Sequence, residues 1–269
     1  MSSVVNPGPL LLTGAAGKLG GWLRPQLARR PEGLRSTDLR PLAPALPGES
    51  LVQADLADAA AVDRAVAGCG AIVHFGAVSV EDSFDAILQA NIVGTHNLFE
   101  AARRHGVRRI VYASSIHVVG FYPTSERIDA DAPLRPDSYY GVAKAFGENL
   151  ARLYVEKAGM EVACLRIGVA QPEPTSPRNL WTWLSLPDLL RLVETCLDVP
   201  RLGFAILYGI SDNRRRWWDN SRSTVPFLPQ DDAERFADRL LPDRRDPEDP
   251  GVRYHGGPFV AFKLGERPR

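Results

Sequence analysis

Cysteine is scarce in this chain, and its arrangement excludes two kinds of stabilised fold. The 269 residues include three cysteines, Cys69, Cys164 and Cys196. Their number is odd, they lie far apart, and no Cys or His spacing matches a zinc site. The sequence therefore predicts neither a disulfide framework nor a metal site. It favours three buried thiols in a reducing compartment.

The chain also lacks an excess of charge and any long apolar run. It carries 32 Lys and Arg against 32 Asp and Glu, a formal net charge of zero. Without a long-range field, a general nucleic-acid or membrane-surface binder is disfavoured, and a small-molecule ligand is expected. No run approaches the ~18 apolar residues of a membrane span. The first residues have no basic segment before an apolar one, so we expect a cytoplasmic protein.

What the sequence has is a regular alternation of short apolar runs with longer stretches of helical period. The predicted strands are 9–13, 34–37, 51–54, 71–75, 109–113 and 162–166. This pattern is typical of an α/β fold with a doubly wound, Rossmann-like parallel sheet. Residues 1–170 are expected to form the main domain. Residues 171–269, rich in proline, form a smaller C-terminal part, from which one strand and one helix return to the main sheet.

Two amphipathic helices are predicted most clearly. The first runs from about residue 84 to residue 102, with Phe84 on its apolar stripe and Glu81, just before it, free to face water. The second runs from about Ser138 to Ala158. Its buried side is predicted to include Phe146, Leu150, Leu153 and Tyr154.

A glycine-rich loop follows the first predicted strand. Gly14, Gly17 and Gly20 in TGAAGKLG stand where a helix opens, and glycine lets the backbone approach a phosphate held at the helix N-terminus. Asp38 ends the second strand, where a carboxylate can accept from both hydroxyls of an adenosine ribose. Since that carboxylate would repel a 2′-phosphate, the predicted cofactor is NAD rather than NADP. Asp55, after the third strand, can either reach the adenine amino group or cap a helix.

A serine, a tyrosine and a lysine are spaced so that they could act on one substrate oxygen. Tyr140 and Lys144 are four residues apart, so on a helix they share one face. The ammonium is then predicted to lower the pKa of the phenol from ~10 toward neutrality, which makes the tyrosine a usable base. Ser115, after the fifth strand, is placed to hold the same substrate oxygen. Tyr139 has Ala143 as its partner four residues on, so Tyr140 is the tyrosine that fits.

Together these residues resemble the extended short-chain dehydrogenase/reductase family, from about residue 9 to about residue 262. The resemblance is carried by the TGAAGKLG loop, Asp38, the DL at 55–56, HFGA at 74–77, Asn91, the SS at 114–115, and Tyr140 with Lys144. The stretches IVHFGAVSVE, SSIHVVGFYP, RIGVAQPEP, WWDNS and GGPFV are similar to those of its uronate dehydrogenase subgroup. Members of that subgroup oxidise the anomeric carbon of galacturonate or glucuronate with NAD to an aldarolactone. The resemblance implies the same reaction here, with Tyr140 as base.

The resemblance also implies a role for individual residues. Its positions for NAD are Gly14, Gly17, Lys18, Leu19, Gly20, Asp38, Leu39, Asp55, Leu56, Phe75, Gly76, Ala77, Asn91, Tyr140 and Lys144. Its positions for the sugar acid are Ser79, Ser115, Ile116, His117, Val169 and Arg178, and Arg178 would pair with the carboxylate. Ile116 and Val169 depart from the subgroup, which has asparagine and serine there. Losing a polar contact to a sugar hydroxyl can cost ~1 kcal/mol or more.

Two other functions stay open at this point. The first is an NAD-dependent dehydrogenase, reductase, epimerase or dehydratase of a different sugar or polyol. Ile116 and Val169 favour such a less polar ligand, whereas the short C-terminal part argues against a nucleotide sugar. The second is a dinucleotide sensor without activity, which would need no Tyr–Lys pair. In every case we expect a small-molecule partner, and the resemblance implies association into a homo-oligomer.

Overall fold

Seven parallel strands form one central sheet: six lie close to the predicted runs, and the seventh is the strand expected to return from the C-terminal part. The computed structural model describes residues 8–241 and 248–267. The strands are β1 Leu10–Thr13, β2 Leu34–Asp38, β3 Glu49–Gln53, β4 Ala71–His74, β5 Arg109–Ser115, β6 Ile128–Asp129, β7 Glu161–Ile167, β8 Val169–Ala170, β9 Trp183–Leu184, β10 Phe204–Gly209 and β11 Trp218–Asp219. The central sheet has the order β10-β7-β5-β4-β1-β2-β3, while β6 pairs with β11 and β8 with β9 outside it.

Helices connect the strands and cover both faces of the sheet. They are α1 Lys18–Leu27, α2 Ala59–Val66, α3 Phe84–Ile87, α4 Gly94–Arg104, α5 Tyr139–Ala158, α6 Asn179–Thr182, α7 Leu186–Asp198, α8 Ala237–Leu240 and α9 Pro250–Arg253. A π-helical turn, Leu88–Val93, joins α3 to α4. Further 3-10 turns lie at Ile116–Val119, Ala233–Phe236 and Gly257–Ala261. None of the helices in the described ranges is long and apolar enough to cross a membrane.

Side chains of successive strand residues alternate between two apolar layers. In β1, Leu10 and Leu12 belong to the layer that also holds residues of α1 and α7, and Leu11 belongs to the layer under α4 and α5. Burial on both faces explains why the strand reads as an unbroken apolar run. The three cysteines are buried and unpaired, as predicted, and burial raises the pKa of each thiol.

The topology creates a crevice at the carboxyl ends of β1 and β4. From β1 the chain winds outward through β2 to β3, and then returns to β4 on the other side of β1. At such a switch point the two connections leave in opposite directions, so a ligand can enter between them. The Thr13 hydroxyl joins the two strand ends, because its Oγ1 accepts a hydrogen bond from the N–H of Gly76 at 3.0 Å.

The C-terminal third contributes directly to this sheet. Strand β10 pairs in parallel with β7, with Phe204 opposite Val162. Helix α7 packs on the sheet beside α1, and the buried guanidinium of Arg109 donates to the carbonyls of Leu197 and Val199. These contacts attach the end of α7 to the start of β5.

Three side chains differ from their predicted environment. Leu153 and Phe84 are each 50% exposed, although both were expected on buried stripes. The buried face of α5 follows Gly147, Ala151 and Tyr154, and Leu153 lies about 100° away from it around the helix. Glu81, expected to face water, is 1% exposed. Its carboxylate is buried because it accepts backbone hydrogen bonds from two separate segments.

Candidate active site

The glycine loop packs tightly against the end of β4. Gly14 has φ +72°, and a Cβ there would lie 2.6 Å from the backbone nitrogen of Gly76. Only glycine fits this left-handed, crowded position. The loop leads into α1, whose N-cap Gly17 offers no capping side chain to the first N–H groups of the helix. Those N–H groups, from Lys18, Leu19 and Gly20, are therefore suited to the phosphates of a dinucleotide.

Asp38 lies at the end of β2, beside this loop. Its Oδ2 accepts from the N–H of Ala16 and its Oδ1 accepts from the N–H of Arg40, both at 2.9 Å. The Arg40 guanidinium contacts the same carboxylate at 3.5 Å and donates to the carbonyl of Ala16 at 2.7 Å. Asp38 is therefore held in place at the loop, with lone pairs left for a ribose. The side chain of Leu39 is 61% exposed next to it.

The segment after β4 forms the other wall of the crevice. The side chain of Leu56 lies against the backbones of Gly76 and Gly94, within 3 Å of where a Cβ would stand at either position. Asn91, buried in the π-helical turn, bonds both backbone groups of Val78 at 2.8 Å. Asn91 thus holds the stretch that begins with Phe75, Gly76 and Ala77. π-helical turns occur often at functional sites, so this turn supports a site here. The sequence pattern does not predict the turn.

Asp55 is exposed at the same edge. Its Oδ1 accepts from the N–H of Ala57, and the N-cap of α2 is Asp58 instead. The sequence left two roles open for Asp55, and the prediction that it caps α2 is therefore wrong. The contact with the adenine amino group stays a prediction.

The predicted serine, tyrosine and lysine meet at the carboxyl end of β5. Ser115 ends this strand, and Tyr140 and Lys144 lie one turn apart on α5; all three are buried. The Ser115 hydroxyl accepts from the N–H of His117 at 3.3 Å and lies near enough to the Tyr140 phenol to affect its pKa. The Lys144 ammonium donates to the carbonyl of Ala113 at 2.7 Å and lies 5.7 Å from the centroid of the Tyr140 ring. The helical spacing therefore places these groups as predicted.

The predicted lowering of the phenol's pKa is wrong for this arrangement. Burial raises the pKa of Tyr140 to about 12; the nearby Ser115 hydroxyl opposes this, and the nearby Asp137 carboxylate adds to it. Burial also lowers the pKa of Lys144 to about 7. The loss of water around both groups outweighs their mutual attraction, because each charged form is costly inside the protein.

His117, two residues after Ser115, contacts three further side chains, and two of these were not predicted as site residues. His117 lies in the 3-10 turn that follows β5, and its Nδ1 is 2.8 Å from Oδ2 of Asp137. Its ring stacks on Phe259 with the centroids 3.7 Å apart, and it meets the Tyr140 ring edge-on at 5.8 Å. Neither Asp137 nor Phe259 was predicted as a site residue. The motif-like run GGPFV was the one signal for Phe259.

Arg178 contacts the turn that carries Phe259. Its Nη2 donates to the carbonyl of His255, and its guanidinium lies against the backbone of Gly257. The guanidinium carbon is also 5.8 Å from the centroid of the Trp217 ring, which stacks on His255. The C-terminal residues 255–261 therefore contact both Arg178 and the Tyr140 cluster and form one wall of the site. Chain order alone does not predict this wall.

The remaining predicted substrate residues have different environments. Ser79 is exposed on the loop after β4, close to Val78 and its Asn91 clamp. Ile116 is 2% exposed and packs in an apolar cluster with Val118 and Trp218. Val169 is half-buried in the short strand β8. An asparagine in place of Ile116 would therefore stand among apolar side chains.

Comparison with known proteins agrees with this geometry. Residues 10–180 match the NAD dependent epimerase/dehydratase family. The chain is 51% identical over 255 residues to uronate dehydrogenase of Agrobacterium fabrum, covering 93% of this chain and 96% of that one. It is 48% identical to the Pseudomonas putida enzyme of the same name, covering 94% and 95%.

A solved structure extends the likeness to three dimensions. The crystal structure of a mutant uronate dehydrogenase from Agrobacterium tumefaciens complexed with NAD superposes with a TM-score of 0.93 at 50% identity, covering 95% of this chain and 98% of that one. The chain therefore belongs to the NAD dependent epimerase/dehydratase family, together with the uronate dehydrogenases that it resembles.

Proposed function

We propose that this protein oxidises the anomeric carbon of a hexuronic acid, galacturonate or glucuronate, with NAD and forms an aldarolactone. The observation that carries the proposal is the identity of about one half, over more than nine tenths of the chain, to uronate dehydrogenases. The buried group of Ser115, Tyr140 and Lys144 supplies side chains suited to that oxidation.

The residues around the crevice suit NAD. The N–H groups of Lys18, Leu19 and Gly20 face the place where a pyrophosphate binds in such folds. Asp38 suits the two hydroxyls of the adenosine ribose and opposes a 2′-phosphate. When bound, NAD supplies the nicotinamide that accepts the hydride from the anomeric carbon.

The protein's own part is to hold the anomeric oxygen and move its proton. The Ser115 hydroxyl lies near the Tyr140 phenol at the carboxyl end of β5, so both can contact one substrate oxygen. Because the phenol keeps its own proton in this arrangement, Tyr140 takes the hydroxyl proton as its phenolic proton passes on toward Lys144, while the carbon is oxidised. Lys144, whose pKa burial lowers to about 7, can exchange a proton near neutral pH. The surrounding wall of apolar and aromatic side chains excludes water from this step.

Selectivity for a sugar acid is proposed to come from the opposite side of the site. Arg178 suits a carboxylate, because a guanidinium makes charge-assisted, bidentate hydrogen bonds. His117 and Ser79 suit ring hydroxyls. The carboxylate would then lie toward Trp217 and His255, and the anomeric carbon toward Tyr140.

Turnover of a substrate panel tests the proposal. Purified protein with NAD is offered galacturonate, glucuronate, and the matching neutral sugars galactose and glucose, and formation of NADH is followed by absorbance. We expect turnover of at least one uronate, with a catalytic efficiency well above that for its neutral counterpart. Turnover of a neutral sugar alone would contradict the uronate assignment and leave the dehydrogenase assignment standing.

A second candidate substrate class rests on Ile116 and Val169. Both are aliphatic where the uronate dehydrogenase pattern has hydrogen-bonding residues, so a sugar acid with fewer or differently placed hydroxyls is favoured by these positions. A deoxy or sulfonated sugar acid oxidised faster than either uronate would support this alternative.

We also propose a homo-oligomeric assembly in the cytoplasm. The three buried, unpaired thiols suit a reducing compartment. Light scattering after size-exclusion chromatography would measure the mass of the assembly against the 29.5 kDa chain. Fractionation of the source cells would test its location.

A further inference from the structure

Asp137 has a buried carboxylate that is tightly enclosed by neighbouring backbone and side chains. It is 6% exposed, and its Oδ1 accepts from the hydroxyl of Ser138 at 2.8 Å. Its Oδ2 lies so close to the backbones of Gly120 and Gly256 that a Cβ on either would stand within 2 Å of it. The carboxylate is thus enclosed by two chain segments, and Oδ2 is directed at Nδ1 of His117.

The His117 ring has little freedom to choose another orientation. Stacking on Phe259, with an interplanar angle of 24°, fixes the plane of the ring. The hydrogen bond to Asp137 then decides which edge of the ring faces inward. A flipped ring would turn a carbon toward the carboxylate and lose that bond. Nε2 is therefore left on the opposite edge, and 13% of the side chain stays exposed.

We propose that Asp137 is a positioning residue that keeps the proton of His117 on Nδ1 and presents Nε2 as an acceptor to a hydroxyl of the substrate. An ionised carboxylate can only accept hydrogen bonds, so its partner nitrogen must donate. In a neutral imidazole the other nitrogen is then an acceptor. Since the hydroxyl belongs to the sugar acid, this inference rests on the proposed function.

The assignment restricts how the substrate can bind. An acceptor at Nε2 binds a hydroxyl that donates its proton, and it gives no hydrogen bond to a carboxylate. The carboxylate is thereby directed away from His117 and toward the guanidinium of Arg178. Asp137 would then favour one orientation of the sugar over the reversed one, which brings the anomeric carbon to Tyr140.

A solely structural role is the competing explanation. Asp137 also precedes α5, and its neighbour Ser138 caps that helix by accepting from the N–H of Gly141 at 3.0 Å. Loss of the carboxylate can therefore change stability as well as the histidine. The experiment must separate an effect that passes through His117 from one that does not.

A double-mutant cycle on kcat/KM for the uronate makes this separation. We expect His117→Ala and Asp137→Asn each to lower kcat/KM by about tenfold, the loss of one substrate hydrogen bond. In the His117→Ala background, Asp137→Asn should then change kcat/KM by no more than about twofold. If kcat/KM of the double variant falls by the product of the two single-variant losses, the proposal is overturned.

Asp63→Asn is the matched control. Asp63 contacts Nε2 of His105 at 3.1 Å on the surface, so it is also an aspartate beside a histidine. It lies on α2, away from the Tyr140 cluster, and its substitution should leave kcat/KM unchanged. A loss equal to that of Asp137→Asn would show that removing any such carboxylate lowers activity, and would count against the proposal.

The protonation of His117 is measurable without turnover. Nitrogen NMR of ¹⁵N-histidine-labelled protein with NAD should show a protonated Nδ1 and an unprotonated Nε2 for His117, assigned by the signal lost in His117→Asn. In Asp137→Asn the share of molecules with the proton on Nε2 should rise. A proton on Nε2 in the unmutated protein would overturn the proposal. Failure of all uronates to react, with this NMR result intact, would instead count against the proposed function.

Discussion

Oε2 of Glu81 accepts a hydrogen bond from the backbone N–H of Tyr140 at 3.0 Å. Its second oxygen, Oε1, accepts from the backbone N–H of Gly265 at 2.9 Å. One buried carboxylate therefore connects the first turn of α5, which carries the proposed base, to the C-terminal segment. That segment includes Phe259, which packs on His117. The position of the phenol and the closure of the site wall are thus coupled through Glu81.

Glu81→Gln should destabilise the protein. The amide retains one accepting oxygen, so either the N–H of Tyr140 or that of Gly265 would face an NH₂ group. We expect a loss of about 1 to 3 kcal/mol in the free energy of unfolding, measured with urea. Asp82→Asn, at the partly exposed neighbouring position, is the control and should stay within about 0.5 kcal/mol of the unmutated protein. Equal stability of the two variants would contradict the role of Glu81.

Tyr140→Phe should reduce turnover of the uronate by a factor on the order of one hundred or more, because it removes the proposed base. Binding of NAD, measured by calorimetry, should be retained. Tyr139→Phe is the matched control, since Tyr139 packs edge-on against Phe84 instead of against the Ser115 cluster. An inactive Tyr139→Phe with an active Tyr140→Phe would show that the wrong tyrosine was chosen.

Lys144 should give the stability a specific pH dependence. Burial lowers its pKa to about 7, whereas in the unfolded chain an ordinary lysine holds its proton up to ~10.4. Between these values the unfolded chain binds more protons, so the free energy of unfolding rises with pH, by up to ~1.4 kcal/mol per pH unit. Below pH ~7 both states are protonated, and the residue adds no further slope.

Urea unfolding at several values between about pH 7 and pH 9 tests this linkage. Lys144→Met should lose the rise attributed to Lys144, while groups present in both proteins cancel in the comparison. Lys157→Met, on the exposed side of the same helix, should keep the rise. If the free energy of unfolding rises with pH equally in the unmutated protein and in Lys144→Met, then Lys144 is not neutral in the folded protein.

The cofactor preference should depend on Asp38. We expect NAD to bind more than about tenfold tighter than NADP in calorimetry, because the carboxylate repels a 2′-phosphate. Asp38→Ala should narrow the gap, since Arg40 loses its ionic partner and becomes available to a phosphate. Adding Arg40→Ala should weaken NADP binding again. Equal affinity for NAD and NADP in the unmutated protein would contradict the role of Asp38 in cofactor choice.

Arg178→Met should weaken recognition of the acid selectively. A guanidinium–carboxylate pair in a partly buried site is worth about 1.5 to 3 kcal/mol, so KM for the uronate should rise about tenfold to a hundredfold. For the matching neutral sugar, steady-state kinetics should show a much smaller change. An equal effect on both sugars would mean that Arg178 only supports the wall formed by His255 and Gly257.

Much of the candidate site at the carboxyl ends of the strands is predictable from sequence, because it depends on local spacing. The glycine loop, the end of β2 at Asp38 and the helical interval from Tyr140 to Lys144 each lie within one element or at its boundary. The order of strands then brings these short motifs to one edge of a parallel sheet. Glu81, Asp137 and Phe259 were not predicted as site residues, since their partners are 20 to 184 residues away in sequence.

The sequence by itself determined the fold class, the glycine-rich loop and the identity of the three groups proposed to react. Only the tertiary structure decided their electrostatic state. A spacing of four residues implies proximity of phenol and ammonium, but the pKa of each depends on how much water the rest of the fold removes. Packing at the end of β5 and along α5 buries both groups, and Phe259 also packs against the Tyr140 ring. Burial raises the pKa of Tyr140 to about 12 and lowers that of Lys144 to about 7. Burial depends on distant segments, so no local pattern of residues contains it.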